Sequence, residues 1–119
     1  MTAKRLMLLA TYNISKDRTE EEYDKFCREV DTPFYNSIPG VVRYSNWKVV
    51  EENLGSVGFK YIDFIVVEGD EPFKMFEDNQ KIKDFIVKWE EQWAEFGTDE
   101  QYLGKNYQIV KLEEVAAPD

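Results

Sequence analysis

Apolar residues run unbroken from Leu6 to Ala10, and the surrounding stretch Lys4 to Ile14 (KRLMLLATYNI) predicts a buried strand. Polar punctuation follows. Thr19 with Glu22 three residues on matches a capping box, and Tyr23, Phe26, Cys27 and Val30 recur at helical spacing. The pattern predicts a helix from Thr19 to about Val30. Pro33 disfavours helical geometry at Thr32, so the helix is expected to end before it. Pro39-Gly40 is a break, and Val41 to Val50 predicts a second strand. A polar, glycine-bearing turn (EENLGSVG) leads into a third strand from Phe59 to Val67, which suggests a hairpin. Pro72 to about Phe96 predicts a second helix. Its Phe73, Phe76, Ile82, Phe85, Ile86, Trp89, Trp93 and Phe96 fall largely on one face. Tyr107 to Val115 predicts a fourth strand, followed by a frayed tail, AAPD.

The order βαββαβ implies one α+β domain over residues 1–119. It is the ferredoxin-like unit, a four-stranded antiparallel sheet with both helices on one face. A sheet covered on one side should alternate apolar with polar residues. Strand three does not: Tyr61, Ile65 and Val67 oppose Ile62, Phe64 and Val66. Strand one repeats this, with Leu6 and Leu8 opposing Met7 and Leu9. Both faces of the sheet are therefore expected to be covered, and the simplest cover is a second copy of the chain, a homodimer.

Composition narrows the function. The chain has 119 residues, 43% hydrophobic and 15% aromatic, enough for one core. No apolar run approaches the roughly 20 residues of a membrane span, and no secretory signal is read after Met1, so a cytoplasmic location is expected. A net charge of −9 without a basic stripe argues against nucleic acid. The chain contains no histidine. That removes Ser-His-Asp and Cys-His mechanisms, a proximal-histidine haem and histidine-ligated metals. Gly55, Gly58, Gly97 and Gly104 show no phosphate-binding spacing, so no nucleotide cofactor is expected. Cys27 is the single cysteine and reads as a small core residue.

Asp63 stands alone in the apolar run KYIDFIVV. Burial there would raise its pKa and make it a general base. Alternatively it forms a salt bridge to Arg43 across the hairpin and holds register. In NSIPGVVRYSNW, polar and aromatic residues follow the break at Pro39-Gly40. Arg43 and Trp47 share a parity on strand two, as Tyr61 and Asp63 do on strand three. If both sets face one way, they supply a cation, an anion, a phenol and an indole to a ligand pocket. The same residue types also suit a wet dimer seam. Tyr23 and Phe26 on helix one, with Trp89 and Trp93 on helix two, suit either a core or the apolar walls of a cleft for a hydrophobic or aromatic small molecule. Asp31 before Thr32-Pro33 suits a turn cap.

The succession TEEEYDKFCREVDTPFYNSIPGVVRY, then a hairpin and a long aromatic helix, resembles the dimeric α+β barrel superfamily. Within it the chain is similar to the EthD-like proteins and to the small HapK-like (REDY-like) proteins associated with prodigiosin-type pigment biosynthesis. The resemblance is sharpest at Val30-Asp31-Thr32-Pro33-Phe34, Ile38-Pro39-Gly40-Val41 and Arg43-Tyr44. Many EthD-like chains carry a histidine where Asp31 stands. The resemblance implies a dimer with a cleft between sheet and helices. It also implies a cofactor-independent enzyme of cyclase, monooxygenase or isomerase type, acting on an aromatic or polyketide-like intermediate of secondary metabolism. In that reading Asp63, Tyr61 and Asp31 are catalytic, and Arg43 holds an anionic group. A non-catalytic carrier or protein-interaction module of the same fold is the alternative.

Overall fold

The computed structural model describes residues 4–52, 55, 58–94 and 108–118. Four strands, β1 (Lys4–Tyr12), β2 (Val41–Lys48), β3 (Tyr61–Gly69) and β4 (Gln108–Glu113), pair antiparallel in the order β2-β3-β1-β4. Helices α1 (Glu20–Phe26) and α2 (Thr32–Asn36) connect β1 to β2, and α3 (Pro72–Glu77) and α4 (Gln80–Trp93) follow β3. This is the ferredoxin-like α+β fold expected from the pattern.

The register assigns each residue a face. Leu6, Leu8, Ala10 and Tyr12 of β1 lie beside Val67, Ile65, Asp63 and Tyr61 of β3. On that side Leu8, Tyr12, Tyr61, Ile65 and Val67 are buried. They pack with Tyr23, Cys27, Ile38, Ile82 and Trp89 from the helical segments and the turn into β2. The other face carries Met7 and Leu9 with their partners Val66 and Phe64, then Ile62, Trp47, Val110 and Leu112. It is as apolar as expected, yet Trp47 stays 54% exposed and Val110 42%.

Several boundaries differ from the sequence reading. The capping box forms, with Thr19 Oγ1 accepting from the Glu22 N–H at 3.1 Å and Glu22 Oε1 accepting from the Thr19 N–H at 3.0 Å. The chain does not end its helix before Pro33, however. A π-helical turn, Cys27–Asp31, joins α1 to α2, and the Thr32 N–H reaches back five residues to the Cys27 carbonyl. Proline has no N–H to offer and its ring crowds the carbonyl four residues earlier. The widened turn absorbs that conflict and leaves Pro33 in the first turn of α2. The second predicted helix is two helices. Asn79 interrupts it and caps α4, its side chain accepting from the Ile82 N–H at 3.1 Å. Finally, β2 ends at Lys48, and β3 begins at Tyr61 and runs on to Gly69. Phe96, Gly97, Gly104 and Tyr107 lie outside the described residues.

Pro39-Gly40 is the break expected. Gly40 has φ +90°, and a Cβ there would meet the Met75 thioether of α3. Only glycine adopts this turn without strain.

Candidate functional site

Asp63 faces the helices from the middle of β3. The register sets it between Ala10 of β1 and Asn46 of β2. Asn46, not Arg43, is thus its cross-strand neighbour. Arg43 lies opposite Val66 on the other face, after a bulge between Val41 and Arg43. The expected Asp63–Arg43 salt bridge is therefore replaced by bonds from neutral donors. Tyr12 Oη donates to Asp63 Oδ1 at 2.8 Å and Asn46 Nδ2 donates to the same oxygen at 2.7 Å. Tyr44 Oη lies 2.8 Å from Asp63 Oδ2.

Asp31 arrives from the π-helical turn. Its side chain makes no capping bond to α2, contrary to the turn-cap reading. It points at the same tyrosine, with Tyr44 Oη 2.6 Å from Asp31 Oδ2 and Asn46 Nδ2 at 2.8 Å. Asn46 is held by Thr32, whose hydroxyl donates to Asn46 Oδ1 at 2.6 Å, so both amide hydrogens are turned toward the carboxyls. Asp31 is 2% exposed, whereas Asp63 is only half-buried and looks into a cleft.

Behind Asp63 the bonds continue in one direction. Trp89 Nε1 donates to Tyr23 Oη at 3.0 Å, and the Tyr23 and Tyr12 hydroxyls are 2.6 Å apart. Since Tyr12 gives its proton to Asp63, Tyr23 donates to Tyr12. Burial pushes the Tyr12, Tyr23 and Tyr44 hydroxyls well above their ordinary pKa, and the Asp63 charge adds to it. Burial, then the charge of Asp31, push Asp63 up to about 7 against the pull of its three donors. Burial also raises Asp31, while Tyr44 and Asn46 oppose the rise.

The cleft over this array holds about 100 Å³. Leu8, Ala10 and Ile65 form its floor, Tyr35, Phe76, Ile86 and Trp89 its helical wall, and Ile109 of β4 its rim. Such apolar walls around a few polar atoms are how a small-molecule site is built. The sequence model of one protein family, REDY-like protein HapK, matches residues 6–106. The chain belongs to the REDY-like HapK family. No curated protein matches it.

In this REDY-like HapK chain the residues singled out from sequence fall into separate places. Asp63, Asp31 and Trp89 meet at the cleft. Tyr23 is fully buried one bond behind it, and Phe26 and Trp93 pack on Tyr23 with ring centroids 6.0 and 5.1 Å away. Tyr61 shares the face of Asp63 but stacks on Tyr12, and its hydroxyl donates to Asp24 at 3.4 Å. Arg43 and Trp47 do not join Asp63, because beyond the bulge the odd positions of β2 point away from the helices. They line a shallow groove along the β2 edge with Lys48 and Asp24. Sequence reading raises Tyr44 and Asn46 within NSIPGVVRYSNW without assigning them to the site, and does not raise Tyr12. Tyr44 and Asn46 share a parity with each other, and that was the available signal. Among the described residues no group of three potential metal ligands gathers, and no helix is long and apolar enough to cross a membrane.

Proposed function

We propose that the chain is a cofactor-independent enzyme that moves protons on an uncharged aromatic or polyketide-like intermediate, in a cyclisation or isomerisation of secondary metabolism such as pigment assembly. The observation that carries the reading is Asp63, a half-buried carboxyl in an aromatic cleft, held by three neutral donors and brought near neutrality. A base of that pKa suits proton abstraction next to a carbonyl. Among the described residues no lysine or arginine lines the cleft, so an anionic group finds no counter-charge from them, and the anion-holding role read for Arg43 is set aside. An engineered cavity of about 150 Å³ takes a benzene ring, so a cleft of about 100 Å³ admits one end of a flat ligand while the rest extends past Ile109. The working unit is proposed to be a cytoplasmic homodimer, its two sheets facing each other across the apolar face.

The experiment uses benzoylacetone, a neutral aromatic 1,3-diketone, in deuterated water. Wild-type protein is expected to accelerate deuterium entry at the carbon between the carbonyls. Asp63→Asn is expected to keep binding the probe, followed by tryptophan fluorescence, and to lose exchange by a factor of about 10² or more. Tight binding of the probe with no accelerated exchange would favour the carrier reading instead.

A further inference from the structure

Tyr44 stands between two carboxyls, 2.6 Å from Asp31 Oδ2 and 2.8 Å from Asp63 Oδ2. Both are hydrogen-bond distances. A phenol has one proton, so it donates to only one of them. The second short contact needs a proton that a carboxyl supplies. Asn46 does not fill the gap, because its amide donates to Asp31 Oδ2 and Asp63 Oδ1 and leaves Asp63 Oδ2 to Tyr44. We propose that Asp31 and Asp63 hold a single proton between them and exchange it through the Tyr44 hydroxyl, with Asp31 as the buried reserve and Asp63 as the ligand-facing end.

Two arrangements satisfy both short contacts of the Tyr44 hydroxyl. In the first, Asp31 is the acid: its O–H donates to the Tyr44 oxygen, and Tyr44 donates to ionised Asp63. In the second, Asp63 is the acid: its O–H donates to the Tyr44 oxygen, and Tyr44 donates to ionised Asp31. A concerted shift converts one to the other. The Asp31 proton moves to the Tyr44 oxygen as the Tyr44 proton moves to Asp63, so the phenol stays neutral. One proton and one negative charge are conserved. Asp63 can thus be switched between base and acid for a ligand by a proton from within the protein, without exchange with solvent. This rests on the reading of the cleft as a proton-transfer site.

Among the described residues the surroundings confine titration to the pair. Tyr12 faces it from β1, Tyr23 from α1, Cys27 from the π-helical turn, Tyr35 from α2, and Tyr61 from β3 beside Asp63. Phe76, Ile86, Trp89 and Ile109 close the side of α3, α4 and β4, and bring no charge. Burial raises Tyr12, Tyr23, Cys27 and Tyr61, so each keeps its proton through neutral pH. Like charges this close do not both ionise readily, and their titrations are coupled.

The test counts protons in the intact protein without ligand. Aspartate carboxyl carbons are labelled with 13C and followed by NMR from about pH 4 to about pH 9. Two carbons are expected to titrate in separated steps and to share intermediate shifts around neutrality, together carrying one proton. Tyr44→Phe is expected to abolish the sharing, leaving one carbon at the protonated position and the other ionised. Two fully ionised carbons at neutral pH, or a proton fixed on one carbon in the wild type, would overturn the proposal. Should Tyr44→Phe not fold, the wild-type titration decides alone. A shared proton without deuterium exchange on the diketone would keep the pair and remove the enzymatic reading. Exchange without a shared proton would leave Asp63 as a lone base.

Discussion

At Asp63 the folded protein favours the protonated carboxyl, because burial and the Asp31 charge raise its pKa to about 7. The unfolded chain ionises it near the ordinary value of about 3.9. Between those values the native state binds more protons than the unfolded state, so its contribution to stability is present at low pH and is lost as pH rises toward 7. The slope from this group approaches about 1.4 kcal/mol per pH unit inside that window. Asp63→Asn removes it. The introduced amide can donate to the Tyr44 oxygen while Tyr44 donates to Asp31, which copies the protonated arrangement. Urea unfolding of both proteins across the window is expected to show the variant gaining on the wild type as pH rises. A constant difference would mean that Asp63 ionises normally in the fold. Asp63 and Asp31 were legible in the sequence because a lone carboxyl in an apolar run, or before a proline, stands out. Tyr12, Tyr44 and Asn46 were not. Alternation groups residues of one strand by face, but it does not say which face meets the helices. The bulge between Val41 and Arg43 then shifts the register that brings Asn46 to Asp63.

Among the elements, β1, the capping box and the hairpin follow from local chemistry, and the sequence pattern predicts them. The π-helical turn does not follow, because Pro33 signals a conflict without saying how the chain resolves it. That resolution places Asp31 inward: a regular helix ending before Pro33 would have left it free to cap. The turn at Pro39-Gly40 is equally specific. Gly40→Ala meets two obstacles, the Met75 thioether and a φ of +90°. The thioether is the end of a flexible side chain that is 38% exposed, so it can move. The left-handed backbone cannot be relieved without shifting β2, and it costs about 1–2 kcal/mol for a residue with a Cβ. Gly40→Ala is therefore expected to lower stability by about that amount, with Met75→Ala failing to restore it in the double variant. Full recovery in the double variant would assign the cost to the thioether.

For the whole molecule, β3 joins the cleft to the uncovered face. Asp63 points to the helices and its neighbour Phe64 points away, packing edge-on against Trp47 with ring centroids 6.4 Å apart. Phe64, Ile62 and Val66 continue into Met7, Leu9, Val110 and Leu112, an apolar stripe across all four strands. A stripe of this breadth on a monomer marks an interaction surface. In a chain that already buries its helix face, the occupant we propose is the same face of a second copy. Two copies each carrying −9 repel at long range, so association is expected to strengthen with added salt until that repulsion is screened. Sedimentation equilibrium at micromolar concentration is expected to give twice the 14.1 kDa chain mass. Phe64→Glu places a charge at the centre of the stripe without touching the helix-side core. It is expected to give the single-chain mass with an unchanged far-ultraviolet circular dichroism spectrum. A wild-type mass of 14.1 kDa in moderate salt would rule out the second copy as the cover of this face.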